Sequence, residues 1–155
     1  MLIAFLFATI ASAHAEVPLS MTFGAIGVVD TAGEGWLGEY LYFGPSALVE
    51  IGGNLALIPQ LTLEVSPEHG NWGLVVTGTL EWAASDHVGI DLVPSVIQDT
   101  TGDGTAWILA VGPGGVTYLF DSGVAASMAA QANYVVTEDL PLTLNPIVQI
   151  AVPIP

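Results

Sequence analysis

The chain contains no lysine and no arginine, so its 15 aspartates and glutamates give a formal net charge of −15 with no counter-charge of those two types. Nothing in it can neutralise phosphates, which excludes nucleic acid as a partner. Ordinary composition makes about a quarter of residues charged, whereas here the share is 10%. Carboxylates inside this protein therefore cannot be paired with Lys or Arg. Cysteine is also missing, which removes disulfides and thiolate metal ligands. Beyond Glu16 there is no run of 18 apolar residues, so no transmembrane helix is expected. The 18 glycines and 10 prolines are scattered and interrupt any long 3.6-residue pattern, which argues against a helical fold.

What is present is apolar residue in quantity. Hydrophobic side chains make up 52% of 155 residues, a single-domain length. Residues 2–10, LIAFLFATI, form a short apolar run followed by small residues ending Ala13-His14-Ala15. That pattern fits a secretory leader over residues 1–15 and is too short to span a bilayer as a helix. The basic segment that usually opens a leader is absent, as basic residues are throughout. The expected organisation is a leader, 1–15, and one domain, 16–155.

Within that domain the recurring signal is alternation of period two, the mark of strands with unlike faces. In residues 54–66, Leu55, Leu57, Pro59, Leu61, Leu63 and Val65 take one face, and Asn54, Gln60, Thr62, Glu64 and Ser66 the other. Residues 142–154 and 72–82 repeat the pattern. Turn residues divide the rest into eight strands, at about 18–29, 37–51, 54–66, 71–83, 87–98, 105–120, 123–136 and 142–154. The run Gly112-Pro113-Gly114-Gly115 predicts a bulge. Connections alternate between longer polar ones (30–36, 67–70, 99–104, 137–141) and tight ones (52–53, 84–86, 121–122). This is the layout of a transmembrane β-barrel with short periplasmic turns and longer outer loops.

A soluble barrel would show the same alternation with its apolar face inward, and aromatic positions separate the two. Trp72 and Trp82 share a face ten residues apart, which at ~3.3 Å per residue and a tilt of roughly 45° gives about 23 Å of height. An apolar band of such barrels is ~25 Å tall. Trp36, Trp72, Trp107 and Tyr134 all fall at one rim, the headgroup level that amphipathic rings favour. Apolar residues on the presumed inner face, Ile58, Val75, Val93, Ile97 and Ile147, suit a narrow eight-strand interior filled by side chains.

On these features the chain resembles the small OmpA/OmpX-type outer-membrane barrels over residues 18–154: a leader ending Ala13-His14-Ala15, eight alternating strands, and both ends on one side. The resemblance implies an all-β, eight-stranded antiparallel up-and-down transmembrane barrel, a lipid bilayer as partner and the bacterial outer membrane as location. It departs from that family in ending Val152-Pro153-Ile154-Pro155 instead of in an aromatic residue, and in lacking basic partners for interior acids.

The sharpest chemical feature is a set of four carboxylates on the inner face, Glu50, Glu64, Glu81 and Asp91. Without Lys or Arg, each must be hydrated, protonated or bound to a cation. They are either hydrogen-bonded lumen acids near Tyr42, Thr62, Thr79 and Gln149, or contacts for a cation. Asp99 and Asp103, with Gly104, match positions 1, 5 and 6 of a calcium loop, but the twelfth position is Ala110 and an outer hairpin loop is the simpler reading. Asp30, Glu34, Glu68, Glu138 and Asp139 are expected to form a solvated acidic rim able to gather divalent cations. Ser66, Glu68 and His69 are the one conceivable hydrolytic group, without an identifiable oxyanion donor; His69 and His87 fall at opposite ends. No enzyme and no cofactor are expected. The reading is a structural or interaction barrel with acidic outer loops, the alternatives being a secreted soluble barrel binding an apolar ligand and a narrow cation-selective pore.

Overall fold

A computed structural model describes residues 17–33, 35–68, 70, 72–101, 104–135 and 142–155; for residues 93–101, 104–113 and Val135 it describes the backbone alone. The expected leader, together with Glu34, His69, Asp103, Glu138 and Asp139, lies outside the described residues, as do the side chains of Val93, Ile97, Asp99 and Trp107.

Among the described residues there are strands and no helices: β1 (Leu19–Asp30), β2 (Gly35–Ala47), β3 (Val49–Gly52), β4 (Leu55–Val65), β5 (Trp72–Ala83), β6 (Val88–Thr101), β7 (Gly104–Leu119), β8 (Ala125–Val135) and β9 (Thr143–Pro153). Every neighbouring pair is antiparallel. β2 and β3 both pair with β4 and form one spanning strand interrupted at Leu48. The ladder therefore closes as a barrel of eight strands, with β1 between β9 and β2, and β2 joined to β4. Both ends of the described chain sit together: the Leu48 amide donates to Pro18 O (3.0 Å) and the Ile154 amide to Leu19 O (2.9 Å).

Side-chain direction follows the alternation. Phe23, Val148 and Ile150 are each about half exposed on the outside (50%, 51% and 50%), while Thr22 (0%), Thr62 (3%) and Asn145 (6%) are buried inside. The described apolar core is small, Tyr42, Ala47 and Val75. In water each half-exposed outward Leu, Ile or Phe would forfeit on the order of 1 kcal/mol of burial, so this exterior suits hydrocarbon.

The predicted bulge is present as a register shift between Val111 and Gly114, facing another in β6 between Ile90 and Ser95. The expected contrast of long and short loops is weaker than the sequence suggested. Asp30 pairs with Gly35 and Thr101 with Gly104, so the strands run on into what read as loops, and only residues 102 and 103 separate β6 from β7. At the opposite end, Gly52 and Gly53 take φ of 131° and 61° to reverse the chain, a region open to glycine at little steric cost.

Candidate functional site

The exterior and the lumen each carry part of the site. Outside, Trp36 and Trp72 are exposed at the rim of the longer connections, beside Val29 and Val65 in the ladder, with Tyr134 also exposed at that rim. Trp82, opposite Leu55, is exposed at the other rim. The indole of Trp36 reaches over Gly27: a Cβ there would sit 2.8 Å from its Cζ3. His87, Tyr118 and Phe120 form a further aromatic group at the short-turn rim, with the His87 and Tyr118 rings stacked at 6.0 Å and Phe120 edge-on to Tyr118 at 4.9 Å.

The lumen is held by hydrogen bonds between neutral groups. Tyr42 Oη donates to Gln149 Oε1 (2.8 Å), passing over Gly24, where any Cβ would overlap the phenol. Thr22 and Ser46 share a hydroxyl contact of 2.9 Å, Thr117 and Ser127 one of 2.8 Å, and Thr77 donates to Gln60 Oε1 at 3.3 Å. Such pairs satisfy buried polar groups without ions, at about 0.5–1.5 kcal/mol net each.

Three of the four expected lumen acids fall on one row of the ladder. Ala56 lies opposite both Glu50 and Glu81, and Glu81 opposite Asp91. Glu50 is exposed at the mouth, while Glu81 and Asp91 are half-buried within. Each of the inner two is seated on a glycine of the next strand: a Cβ on Gly89 would be 2.6 Å from Glu81 Oε2, and one on Gly115 would be 2.5 Å from Asp91 Oδ2. Glu81 is hydrogen-bonded to Thr117, and its Oε2 is buried without a hydrogen-bond partner. Glu64 stands apart, opposite Tyr42 and Gly73. A cavity of about 610 Å³ opens at the short-turn end and includes Glu50, Glu81, Asp91, Gln60 and Gln149 in its wall.

Other expectations change. Asp30 is not a solvated rim acid: it is buried (7% exposed), and its Oδ1 accepts from the Ala32 amide at 2.9 Å, closing an Asx turn. Asp99 is a strand residue opposite Val75 and Ala106, while Asp103 lies outside the described residues. Ser66 is fully buried and is not presented to a lipid substrate. Glu68 is exposed, as expected. The glycine seats under Tyr42, Glu81 and Asp91 were not foreseen; the only trace of them in the sequence is glycine at inward positions, which gains meaning once register shows what lies across from it.

No protein-family model matches the chain, and no curated protein matches its sequence. Among solved structures it is similar to Neisserial surface protein A (NspA), with 13% identity, 90% of this chain and 98% of that one covered, and a TM-score of 0.56. It is also similar to a de novo designed transmembrane β-barrel, with 10% identity, 87% and 95% covered, and a TM-score of 0.52. At such identity the likeness is one of fold. The chain thus has the closed eight-stranded antiparallel architecture of outer-membrane barrels, and membership of the OmpA/OmpX-type family in particular is not established by it.

Proposed function

We propose that this chain is an outer-membrane protein of structural or interaction type, whose residues 1–15 are a leader and whose barrel domain, 16–155, is embedded in the lipid bilayer. The observation that carries this is the outward apolar girdle between two aromatic rims, over an interior of threonine, serine, asparagine and glutamine. A soluble barrel holding an apolar ligand needs the reverse arrangement. In this orientation the longer connections, with Glu68 and the neighbouring acids of the sequence, face outward as an acidic contact surface for divalent cations or a protein partner. The half-buried Glu81 and Asp91 support a second reading, a narrow cation-selective path.

The test is refolding of residues 16–155 with and without detergent. Heat-modifiable gel mobility and a β-type circular dichroism spectrum that appear only with detergent are expected. A monodisperse folded protein in plain buffer would remove the membrane assignment. Planar-bilayer recordings of the native chain against Glu64→Gln and Glu81→Gln decide the second reading: cation-selective steps that both substitutions reduce support it, and an absence of conductance ends it.

A further inference from the structure

The cavity at the short-turn end is built in two zones. Near its mouth the wall is hydrocarbon, from Leu48, Leu119, Ala125 and Ala151. Deeper, it turns polar, with Gln60, Glu81, Asp91, Ser127 and Gln149. Its volume of about 610 Å³ falls in the ~300–1,000 Å³ range of small-molecule sites, which pair an apolar wall with a few placed polar groups. The two zones are linked by the ladder row of Glu50, Ala56, Glu81 and Asp91. Adjacent strands are ~4.8 Å apart, so the row brings negative charge in steps from the exposed mouth to the interior. The inner carboxylates are held in place by their glycine seats and, for Glu81, by Thr117, itself bonded to Ser127.

We propose that this cavity is a binding site for an organic ammonium ion with a short apolar chain, the charged head lying between Glu81 and Asp91 and the chain along Leu48, Leu119 and Ala125. A bare metal ion fits less well. Among the described residues no group of three or more His, Cys, Asp or Glu is placed to hold one, and an ion would leave the hydrocarbon zone in contact with water. An anionic amphiphile is refused by the carboxylates, since two like charges in a partly desolvated site repel strongly. An ammonium supplies what the chain itself lacks, a cation for interior acids.

The test is a titration of the refolded full chain in non-ionic maltoside micelles with n-hexylammonium chloride, sodium hexanoate and calcium chloride. The amide resonances of Gly89 and Gly115, beneath the two carboxylates, are the readout. Saturable shifts with hexylammonium and none with hexanoate are expected. The double variant Glu81→Gln/Asp91→Asn should weaken binding at least tenfold, and Ala125→Phe, which fills the hydrocarbon zone, by a similar factor. Should the double variant not refold, Glu50→Gln at the exposed mouth serves in its place, with a two- to threefold loss expected. Equal shifts with hexanoate, an unchanged affinity in the substituted chain, or saturation by calcium chloride with no competition from hexylammonium would each overturn the assignment. Occupancy requires the closed barrel and not the bilayer. A barrel that is folded by gel mobility yet silent in the titration therefore refutes this site and leaves the membrane reading intact.

Discussion

Replacing Gly24 by alanine tests whether the lumen is organised by close approach of side chain to backbone. Gly24 lies between Tyr42 of β2 and Gln149 of β9 in the ladder. A Cβ at this position would overlap Tyr42 Cζ and Oη and stand 2.6 Å from Val148 O. If the phenol moves, the Tyr42–Gln149 hydrogen bond is lost, about 0.5–1.5 kcal/mol, and its buried partners go unsatisfied at about 1–3 kcal/mol more. If β9 moves instead, the strain of overpacking is about 1–3 kcal/mol. Removing glycine from a strand returns about 0.5–1 kcal/mol. The net expectation is a loss of about 2–3 kcal/mol. Gly78→Ala is the matched control, because among the described residues a Cβ there meets only Leu57 Cδ1, at 3.9 Å, and it should be neutral or stabilise by up to about 1 kcal/mol. Urea unfolding in phospholipid vesicles, followed by heat-modifiable mobility, measures both. Gly24→Ala within ~0.5 kcal/mol of the native chain, or a Gly78→Ala cost as large, would show that the contact over Gly24 does not organise the lumen.

Further expectations are simpler to state. Val148→Arg places a cation on the lipid face and should cost about 2–4 kcal/mol if Val148 is near the bilayer midplane, read by the same unfolding assay. In single-tryptophan variants, lipids brominated in one leaflet should quench Trp36 and Trp72 together and Trp82 from the other leaflet; quenching of all three from one side contradicts the two-rim arrangement. Asp30→Ala removes the Asx bond to the Ala32 amide, and amide exchange at Ala32 should quicken about fivefold, the equivalent of about 1 kcal/mol. Global stability should change far less.

What the sequence made legible follows from how each feature is encoded. Strand faces depend on period-two alternation within a segment, so the outward set, Leu74, Val148 and Ile150, and the inward set, Thr62, Gln60 and Asn145, were readable from local pattern. The break near Gly112–Gly115 was readable for the same reason, since Pro and consecutive glycines cannot sustain a ladder. Loop lengths were misjudged because polar and glycine-rich residues such as Asp30, Gly35 and Thr101 signal turns locally, yet pair across a barrel rim once the neighbouring strand extends that far. Site geometry was the least legible. The inward orientation of Glu81 and Asp91 was foreseen, but their placement beside Glu50, with Glu64 elsewhere, depends on register between strands, which no single segment encodes.

The missing basic residues also fix how the barrel should respond to salt. In a barrel laced with ion pairs, screening weakens attractions and repulsions alike, and the two effects largely cancel. Here 15 carboxylates face no lysine or arginine, and the ion-pair contact of His87 with Asp121, at 3.9 Å, joins exposed groups. Interactions among the charges are therefore almost wholly repulsive, and closing the barrel brings Glu50, Glu81 and Asp91 nearer to one another than they stand in an unfolded chain. Raising ionic strength from 0.01 M to 0.15 M shortens the Debye length from about 30 Å to about 8 Å, which removes repulsion between exposed acids while leaving the neutral bonds of Tyr42, Thr117 and Thr22 untouched. Stability in uncharged phosphatidylcholine vesicles should rise over that range with no change in the unfolding slope. A fall would mean that attractive charge pairs hold the fold, which a chain of this composition has almost no means to form.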